Sequence, residues 1–331
     1  MLRRAAIVIA VLVTAFAAAA HARAAVLPAP MASLDRDARR LAAGLPAASA
    51  LEVLDLSTGY HAGVNASESM PAASTIKIPI MVEVFAQLQA QRFDLAHRVT
   101  LRASDKDWGS GDLCDAAPGS SYSVAELLEK MIDISDNTAT NMLIRLVGRG
   151  RINAAMRELG LHRTRLAGDI RTEQWDVRQR LRTSPSDLVR LLALMARRRL
   201  IDEWSSNEMI SILERDQYNT LLPEPLPEDV PIAHKTGSFF DTLNDAGIVY
   251  ADDAPYVIAV MTTALPSQTL GRTFIHSLSR MVYVHELRLA SWRQHSGIDF
   301  PLAALGVPGA DESPDLRYWS TGLGGDAGTG G

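Results

Sequence analysis

The chain has 331 residues, a length that suggests about two domains, and with 47% apolar and 21% charged residues it can bury a sizeable core. These values exclude a disordered or fibrous protein, and a single cysteine excludes both a disulfide framework and a multi-cysteine zinc site. The net charge of −5 argues against nucleic acid as the main partner. Lysine is rare, since all but four of the 33 basic residues are arginine; the four are Lys77, Lys106, Lys130 and Lys235.

Residues 1–24 have the features of a secretory signal peptide. Arg3 and Arg4 precede the uncharged apolar run Ala5–Ala20, and Ala22–Ala24 offers the small residues that a signal peptidase needs. The run is shorter than the ~20 residues that span a bilayer, which makes a membrane anchor the weaker alternative. Cys114 is far from the cleavage point and cannot carry a lipid there. We therefore expect a secreted or periplasmic protein with no membrane attachment after cleavage.

The next elements predict a helix, a strand pair and a buried helix. Residues 25–48 are rich in Ala, Arg and Leu and favour a helix. Leu51–Leu56 alternates apolar and polar residues like a half-buried strand, and Tyr60–Asn65 is a return strand after a turn. Residues 75–91 are apolar on nearly all faces, which predicts a central buried helix. Pro79 inside its first turns indicates a late start or a kink.

The middle of the chain is predicted to be helical. Ser123 and Glu126 form a capping box before an amphipathic run to about Val147, and residues 151–159 form a short helix. A cap followed by Pro185 at the first helical position opens a helix that extends through residue 198. A second capping box, at Ser205 and Glu208, precedes a helix over residues 209–214.

Strands return near the end of the chain, at 232–238, 247–251 and 256–263, before a helix over residues 270–289. This order predicts the fold class α/β (α+β): one antiparallel sheet built from both chain ends, flanked by helices, with an all-helical subdomain inserted at about residues 92–230. The catalytic domain would span residues 25–307, and the Gly-rich residues 308–331 a disordered tail. We expect the active site at the junction of sheet and helical subdomain.

Three short motifs carry chemistry. Ser74 and Lys77 are three residues apart, so on a helix they share one face and a desolvated lysine amine can activate the serine hydroxyl. Ser135-Asp136-Asn137 offers a hydroxyl that can relay a proton and an amide that can bind a carbonyl. The third motif, residues 235–237 (Lys-Thr-Gly), lies on a predicted edge strand and offers a cation and a hydroxyl for a carboxylate. Each motif alone could equally be a cap, a helix break or a strand end.

Together, in this order, the three motifs resemble the signature of class A β-lactamases and other penicillin-recognising serine hydrolases. The resemblance covers about residues 30–290 and implies a β-lactamase/transpeptidase-like fold. It implies that Ser74 attacks the β-lactam carbonyl and becomes acylated, that Lys77 accepts or relays the proton, and that Ser135 passes it to the lactam nitrogen.

The resemblance also implies substrate-binding roles. Asn137 would bind the amide of the substrate side chain, and Lys235 and Thr236 would hold its carboxylate. The backbone N–H groups of Ser74 and Ser238 would form the oxyanion hole.

The sequence departs from the family at the base that activates water for deacylation. Class A enzymes carry Arg-x-Glu-x-x-Leu-Asn, and the nearest match here begins Arg171-Thr172-Glu173 without the later Leu and Asn. Asn141 matches the family asparagine that holds this glutamate. We expect Glu173 as the base, with Asp169 or Asp176 as alternatives, or no such base at all.

The leading interpretation is a serine β-lactamase. The alternatives are a related penicillin-binding D-Ala-D-Ala peptidase or esterase with slow deacylation, and a catalytically inactive module that binds a cell-wall ligand. The intact motif residues argue against the inactive module. We expect a monomer that acts on a small molecule, a β-lactam or a cell-wall peptide. No cofactor or metal is expected, because the eight histidines show no H-E-x-x-H pattern.

Overall fold

A computed structural model describes residues 29–174 and 176–296 of the protein. The predicted signal peptide at 1–24 and tail at 308–331 lie outside these residues. The described helices are α1 (Ala29–Ala43), α2 (Lys77–Gln89), α3 (Val124–Asp133), α4 (Asn137–Val147), α5 (Arg149–Glu158), α6 (Val177–Arg180), α7 (Pro185–Ala196), α8 (Glu203–Leu213) and α9 (Gln268–Ser296). The described strands are β1 (Ala48–Asp55), β2 (His61–Val64), β3 (Met70–Pro71), β4 (Arg98–Thr100), β5 (Ser121–Ser123), β6 (Arg165–Leu166), β7 (Leu181–Thr183), β8 (Ile232–Phe239), β9 (Thr242–Val249) and β10 (Tyr256–Thr263).

The main sheet is antiparallel and joins both ends of the chain, as predicted. Its order is β2-β1-β10-β9-β8, so the two early strands pair with the three late ones through β1 and β10. Strand β8, which carries the Lys-Thr-Gly motif, lies at one edge of this sheet, also as predicted. An edge strand has one unpaired side, and here that side is available to the rest of the site.

Two apolar cores lie on opposite faces of the sheet. One lies between the sheet and helices α1 and α9, and includes Leu34, Ile258 and Ile275. The other lies between the sheet and the remaining helices, with α2 at its centre: Ile80 and Phe85 are essentially inaccessible to solvent. The nearly all-apolar surface of α2 therefore corresponds to burial on nearly every side.

The segment between β2 and β8 is mostly helical, but it also contains small β-sheets that the sequence analysis did not predict. Strands β4 and β5 pair with each other, and β7 pairs with both β3 and β6. These strands are only two or three residues long, so they carry too few alternating residues to be recognised by pattern.

Three predicted helix boundaries are sharpened or corrected. Helix α2 begins late, at Lys77 after a 3-10 turn, so that Pro79 lies in its first turn where a proline is tolerated. The single helix predicted to run to Val147 is two helices, α3 and α4. The predicted cap at Ser205 is wrong, because α8 starts earlier and Asp202 caps it by accepting a bond of 2.6 Å from the Ser205 N–H.

Within residues 29–296, no described helix has both the length and the apolar composition required to traverse a lipid bilayer.

Candidate active site

Ser74 lies in the 3-10 turn Ala73–Ile76, which joins the sheet to α2. The residue before it, Ala73, has a φ of +47°, a left-handed conformation that costs energy for a non-glycine residue. The side chain of Asn244, from β9, holds this strained turn in place by donating to the main-chain oxygens of Pro71 at 2.9 Å and Ala72 at 3.0 Å. The sheet therefore fixes the position of the serine hydroxyl.

The Lys77 side chain is fully buried and points to the centre of the site. Its Nζ lies 3.2 Å from Ser74 Oγ and 2.9 Å from Ser135 Oγ. The other two partners are the main-chain oxygen of Ser135 at 2.6 Å and Asn137 Oδ1 at 2.8 Å. Sequence reasoning predicted that these four residues meet, and the structure brings them together around one nitrogen.

Burial lowers the pKa of Lys77 well below its ordinary value, and the positive charge of Lys235 lowers it further. A neutral amine has two N–H groups and one lone pair. The Ser135 carbonyl and the Asn137 oxygen can only accept, so they take the two N–H groups. The lone pair is then left for the two hydroxyls, Ser74 and Ser135, which is the arrangement that a base acting on either serine requires.

Ser135 reaches Lys77 because the chain breaks between α3 and α4. Ser135 has a φ of +56°, and Asp136 caps α4 by accepting a 2.7 Å bond from the Ala139 N–H. The second Asp136 oxygen accepts from the backbone N–H of Asp112 and Leu113 at 2.7 and 2.8 Å. The Ser-Asp-Asn motif is therefore a helix break, as one of the two interpretations of the sequence has it, and this break places Ser135 and Asn137 beside Lys77.

Asp107 sets the orientation of the Asn137 amide. Asn137 Nδ2 donates to Asp107 Oδ1 at 2.7 Å, and a carboxylate oxygen can only accept, so the amide oxygen must face Lys77. Burial acts to raise the pKa of Asp107, but hydrogen bonds from Thr172, Asn137 and Gly109 outweigh it and lower that pKa. Asp107 is thus held as a carboxylate.

Strand β8 contributes the second buried lysine, Lys235, whose side chain is inaccessible to solvent. Its Nζ lies 2.8 Å from Asp216 Oδ2 and 5.7 Å from the centre of the Tyr218 ring. Thr236 follows on the same strand, and its main-chain N–H donates to the same Asp216 oxygen at 3.1 Å. The predicted carboxylate-binding pair is therefore already in contact with a carboxylate of this chain.

A buried His234–Asp245 pair supports the strand on its other face. His234 Nδ1 is 3.0 Å from Asp245 Oδ1, and Nε2 is 3.0 Å from Asn219 Oδ1. Burial opposes the charged imidazolium, yet the Asp245 carboxylate raises the pKa of His234 above its ordinary value. Through Asn219 and the Leu222 N–H, which donates to Asp245 at 3.0 Å, this pair ties residues 219–222 to the strand.

Gly237 allows β8 to approach the nucleophile. A Cβ placed there would lie 2.9 Å from the Ser74 nitrogen, 3.0 Å from the Thr75 nitrogen and 3.2 Å from the Ala72 oxygen. All three are main-chain atoms, which cannot rotate away. The glycine therefore brings the strand into direct contact with the turn, so that Ser238 and Ser74 line the same cleft.

The cleft has a volume of about 750 Å³ and is lined by Ser74, Ser135, Asn137, Thr236 and Ser238 together with apolar and aromatic side chains. Among its described lining residues there are two arginines, Arg178 and Arg272, and no aspartate or glutamate. Two arginines and no acidic side chain among the described lining make the cleft surface a favourable place for an anionic ligand.

Glu173 is the predicted catalytic residue that, unlike Ser74 and Ser135, does not line the cleft and, unlike Lys77, shows no contact with a residue of the lining among the described bonds. Its side chain is exposed, and it is absent from the described lining. The physical reason lies with Asn141, whose Oδ1 accepts from the Ile170 N–H at 2.8 Å and whose Nδ2 donates to the Ile170 oxygen at 3.0 Å. The clamp holds Ile170, three residues earlier, and the Ile170 side chain lines the cleft instead.

The two alternative acids are engaged elsewhere. Asp169 lies 3.5 Å from Arg171, and Asp176 lies 3.8 Å from Arg180. Arg171 also donates to the Lys106 main-chain oxygen at 2.9 Å, and this bond holds the loop in place. Asp169, Asp176 and Glu173 all lie outside the described lining of the cleft, and their part in deacylation has no support from its geometry.

Sequence reasoning missed several residues that build the site. Asp107 contacts Asn137 and Asp216 contacts Lys235, each from a position far along the chain. His234 supports the strand of Lys235 through Asp245, and Asn244 holds the turn before Ser74. Single buried polar residues of this kind belong to no short motif. The sequence does not show which loop residue contacts a buried lysine, because that contact depends on where the loop lies in the folded chain.

The chain was compared with protein families and known proteins. It matches the family model described as the Beta-lactamase enzyme family over residues 33–285. A curated relative, the beta-lactamase of Streptomyces fradiae, is 30% identical over 232 residues, which cover 63% of this chain and 71% of the relative.

Two solved structures show the same fold at higher coverage. The structure of PBP-A superposes with a TM-score of 0.73 at 33% identity and covers 77% of this chain and 96% of PBP-A. The structure of a beta-lactamase from Sphaerobacter thermophilus gives a TM-score of 0.70 at 28% identity, with coverage of 78% and 97%. These likenesses confirm the predicted fold class.

Replacing Gly237 by alanine should separate β8 from the nucleophile turn, because its Cβ would press on three main-chain atoms. We expect a loss of about 1–3 kcal/mol of unfolding free energy and at least a tenfold slower modification of Ser74 by a serine-directed fluorophosphonate. Thermal denaturation and intact mass measure the two effects. Gly150→Ala is the matched control, since nothing lies within 4 Å of that position in α5. Equal behaviour of the two variants would contradict the proposed contact.

Proposed function

The chain belongs to the beta-lactamase enzyme family, and we propose that it is a serine β-lactamase, which hydrolyses the β-lactam amide through an acyl-enzyme on Ser74. The single observation that carries this proposal is the position of Lys77 Nζ, buried between the hydroxyls of Ser74 and Ser135. A serine hydroxyl is a weak nucleophile by itself, and an adjacent base of lowered pKa supplies the activation that it needs.

Acylation follows from this geometry. The Lys77 amine takes the proton of Ser74 Oγ, which attacks the lactam carbonyl carbon. Negative charge then develops on the carbonyl oxygen, where the backbone N–H groups of Ser74 and Ser238 can stabilise it. Lys77 returns the proton through Ser135 Oγ, 2.9 Å away, to the lactam nitrogen. The C–N bond breaks and the ring-opened acyl group stays on Ser74.

The substrate carboxylate is proposed to bind at strand β8, next to the nucleophile. Lys235 and Thr236 lie on β8 beside the nucleophile and supply the ammonium and hydroxyl for the substrate carboxylate. Asn137, whose amide is oriented by Asp107, is placed to bind a side-chain amide. The absence of acidic side chains from the described lining agrees with an anionic substrate.

A second candidate function is favoured by one observation, the apolar side chain of Ile170 in the Asn141 clamp. Deacylation needs a base to activate water, and the described lining of the cleft contains no acid. A site that acylates quickly and deacylates slowly is that of a penicillin-binding D-Ala-D-Ala peptidase or esterase. A variant of PBP-A, 33% identical to this chain, is known as an acyl-enzyme complex with penicillin G.

Turnover separates these functions. Purified protein is mixed with a chromogenic cephalosporin, hydrolysis is followed by absorbance, and the adduct on Ser74 is followed by intact mass. Continuous turnover supports the β-lactamase. A stable adduct without turnover supports the penicillin-binding enzyme, and no adduct at all supports an inactive binding module. Ser74→Ala should abolish the adduct; an adduct that persists in this variant would assign the nucleophile to another residue.

The deacylating base is tested by two substitutions in the same loop. Ile170→Glu places a carboxylate where Asn141 holds the main chain against the cleft, so we expect the penicilloyl adduct to hydrolyse at least tenfold faster. Ile170→Val is the matched control and should leave the lifetime unchanged. If Glu173 is the base, as the sequence predicts, Glu173→Ala traps the adduct. An unchanged lifetime in Glu173→Ala, with a shorter one in Ile170→Glu, excludes Glu173.

We also propose that the protein is exported and acts as a soluble monomer without membrane attachment. The support is the basic start, the apolar run and the small residues of positions 1–24. Expression of the full chain in a Gram-negative host should yield a periplasmic protein that lacks these residues, as read by its N-terminal sequence. A full-length protein that remains with the membrane fraction would contradict the proposal. Size-exclusion chromatography with light scattering tests the monomer.

A further inference from the structure

Asp216, which follows α8, holds the two groups that the proposed function assigns to the substrate carboxylate. Its Oδ2 atom accepts from Lys235 Nζ at 2.8 Å, from the Thr236 N–H at 3.1 Å and from Thr236 Oγ1 at 3.4 Å. Neither family motif nor spacing includes this residue. Asp216 lies inside the protein and accepts hydrogen bonds from the Lys235 ammonium and the Thr236 hydroxyl, the same two groups that would bind a ligand carboxylate.

The Asp216 carboxylate is fixed and dry. Its second oxygen accepts from the Tyr218 N–H at 3.1 Å, and the side chains of both Asp216 and Lys235 are inaccessible to solvent. Charges in such a place are screened little by water or salt. The Asp216–Lys235 pair therefore acts on its surroundings as a fixed pair, and the charge of either member is felt at Lys77.

Four charged groups face Lys77 from the elements around it. Lys235 on β8 opposes a proton on Lys77, whereas Asp107, Asp136 and Asp216 favour one. Asp136 is bonded to backbone N–H groups, and Asp107 to backbone N–H groups and to uncharged side chains. Asp216 differs because it is bonded directly to the competing cation.

Three further titratable groups lie beside this pair: His234, Tyr218, whose ring is 5.7 Å from Lys235 Nζ, and Asp133, whose pKa is raised by burial and also by the Asp216 charge. His234 is buried on the same strand as Lys235 and paired with Asp245, and Asp216 favours its charged form while Lys235 opposes it. The neighbourhood of Asp216 therefore contains one ion-paired lysine and one ion-paired histidine. Loss of the Asp216 charge removes the counter-charge of Lys235 and makes the net charge next to Lys77 more positive.

We propose that Asp216 is a positioning residue for acylation, an internal counter-carboxylate that holds Lys235 and Thr236 and sets the charge balance between the two buried lysines. The proposal rests on the proposed function, because acylation of Ser74 is what it regulates. Asp216 touches neither substrate nor reacting atoms. It acts through Lys235, and its charge affects the pH at which Lys77 gives up its proton.

The sign of the effect can be derived. Asp216 offsets part of the repulsion between a protonated Lys77 and Lys235. Without the Asp216 charge this repulsion is stronger, so the pKa of Lys77 falls and its neutral amine persists to lower pH. Acylation falls on the acid side as Lys77 becomes protonated. Asp216→Asn should therefore move this acid limb to lower pH by roughly one unit, an order of magnitude typical of one buried charge nearby. A purely structural role would lower the rate at every pH and leave the limb where it is.

The experiment uses the protein without residues 1–24. It measures by intact mass the second-order rate constant of Ser74 acylation by penicillin G between pH 5 and 9. Asp112→Asn is the matched control. Asp112 also pairs with a lysine, Lys130, at 2.8 Å, but its side chain is 60% exposed and the pair is screened. We expect the limb of this control to coincide with that of the unmodified protein. Asp216→Glu keeps the charge and displaces it by one methylene, and should lower the plateau without moving the limb.

The outcomes are distinct. If the unmodified protein is not acylated, the proposed function fails. If it is acylated and Asp216→Asn leaves the limb in place or moves it to higher pH, this inference alone is overturned. Circular dichroism and thermal denaturation check that each variant is folded. Should Asp216→Asn not fold, Asp216→Ser, which also removes the charge, is measured in its place: a limb moved to lower pH supports the assignment, and an unmoved limb overturns it.

Discussion

The rest of the site depends on the burial of one lysine amine among uncharged partners. Lys77 is removed from water, and its four contacts are hydroxyl, carbonyl and amide oxygens. Had one of them been a carboxylate, the amine would hold its proton and could not act as a base. Lys235 shows the contrast: it is buried to the same degree, but it forms an ion pair with Asp216. Two lysines in one cleft thus take two roles because their nearest neighbours differ.

The carboxylates of Asp107 and Asp136 contact the neighbours of Lys77 and not its amine. The oxygens of Asp107 orient Asn137 and hold Thr172, and those of Asp136 cap α4 and hold the preceding loop. They hold the partners of Lys77 in place, and their negative charges raise its pKa less than burial and Lys235 lower it. The same residues therefore serve stability and chemistry, and a substitution at either position would be expected to affect both.

The cleft is equipped unequally for the two halves of hydrolysis. The groups for acylation meet around Ser74, whereas Asn141 holds an isoleucine where the family resemblance expects a glutamate. Membership of the beta-lactamase enzyme family and the arrangement around Ser74 support the β-lactamase. This loop contributes no acidic side chain to the described lining, and the lifetime of the proposed acyl-enzyme distinguishes a β-lactamase from a penicillin-binding enzyme.

The sequence by itself determined the elements and the three motifs. Alternation and helical periodicity reveal the strands of the main sheet and the buried helix α2, and three short motifs contain Ser74, Lys77, Ser135 and Lys235. Only the tertiary structure decided their partners and the place of the loop. Asp216 and Asn244 act through single long-range contacts, and the Asn141 clamp selects Ile170 over Glu173 by main-chain bonds. Periodicity and motifs are local in the chain, whereas the proton affinity of Lys77 depends on charges and burial that only the folded chain brings together.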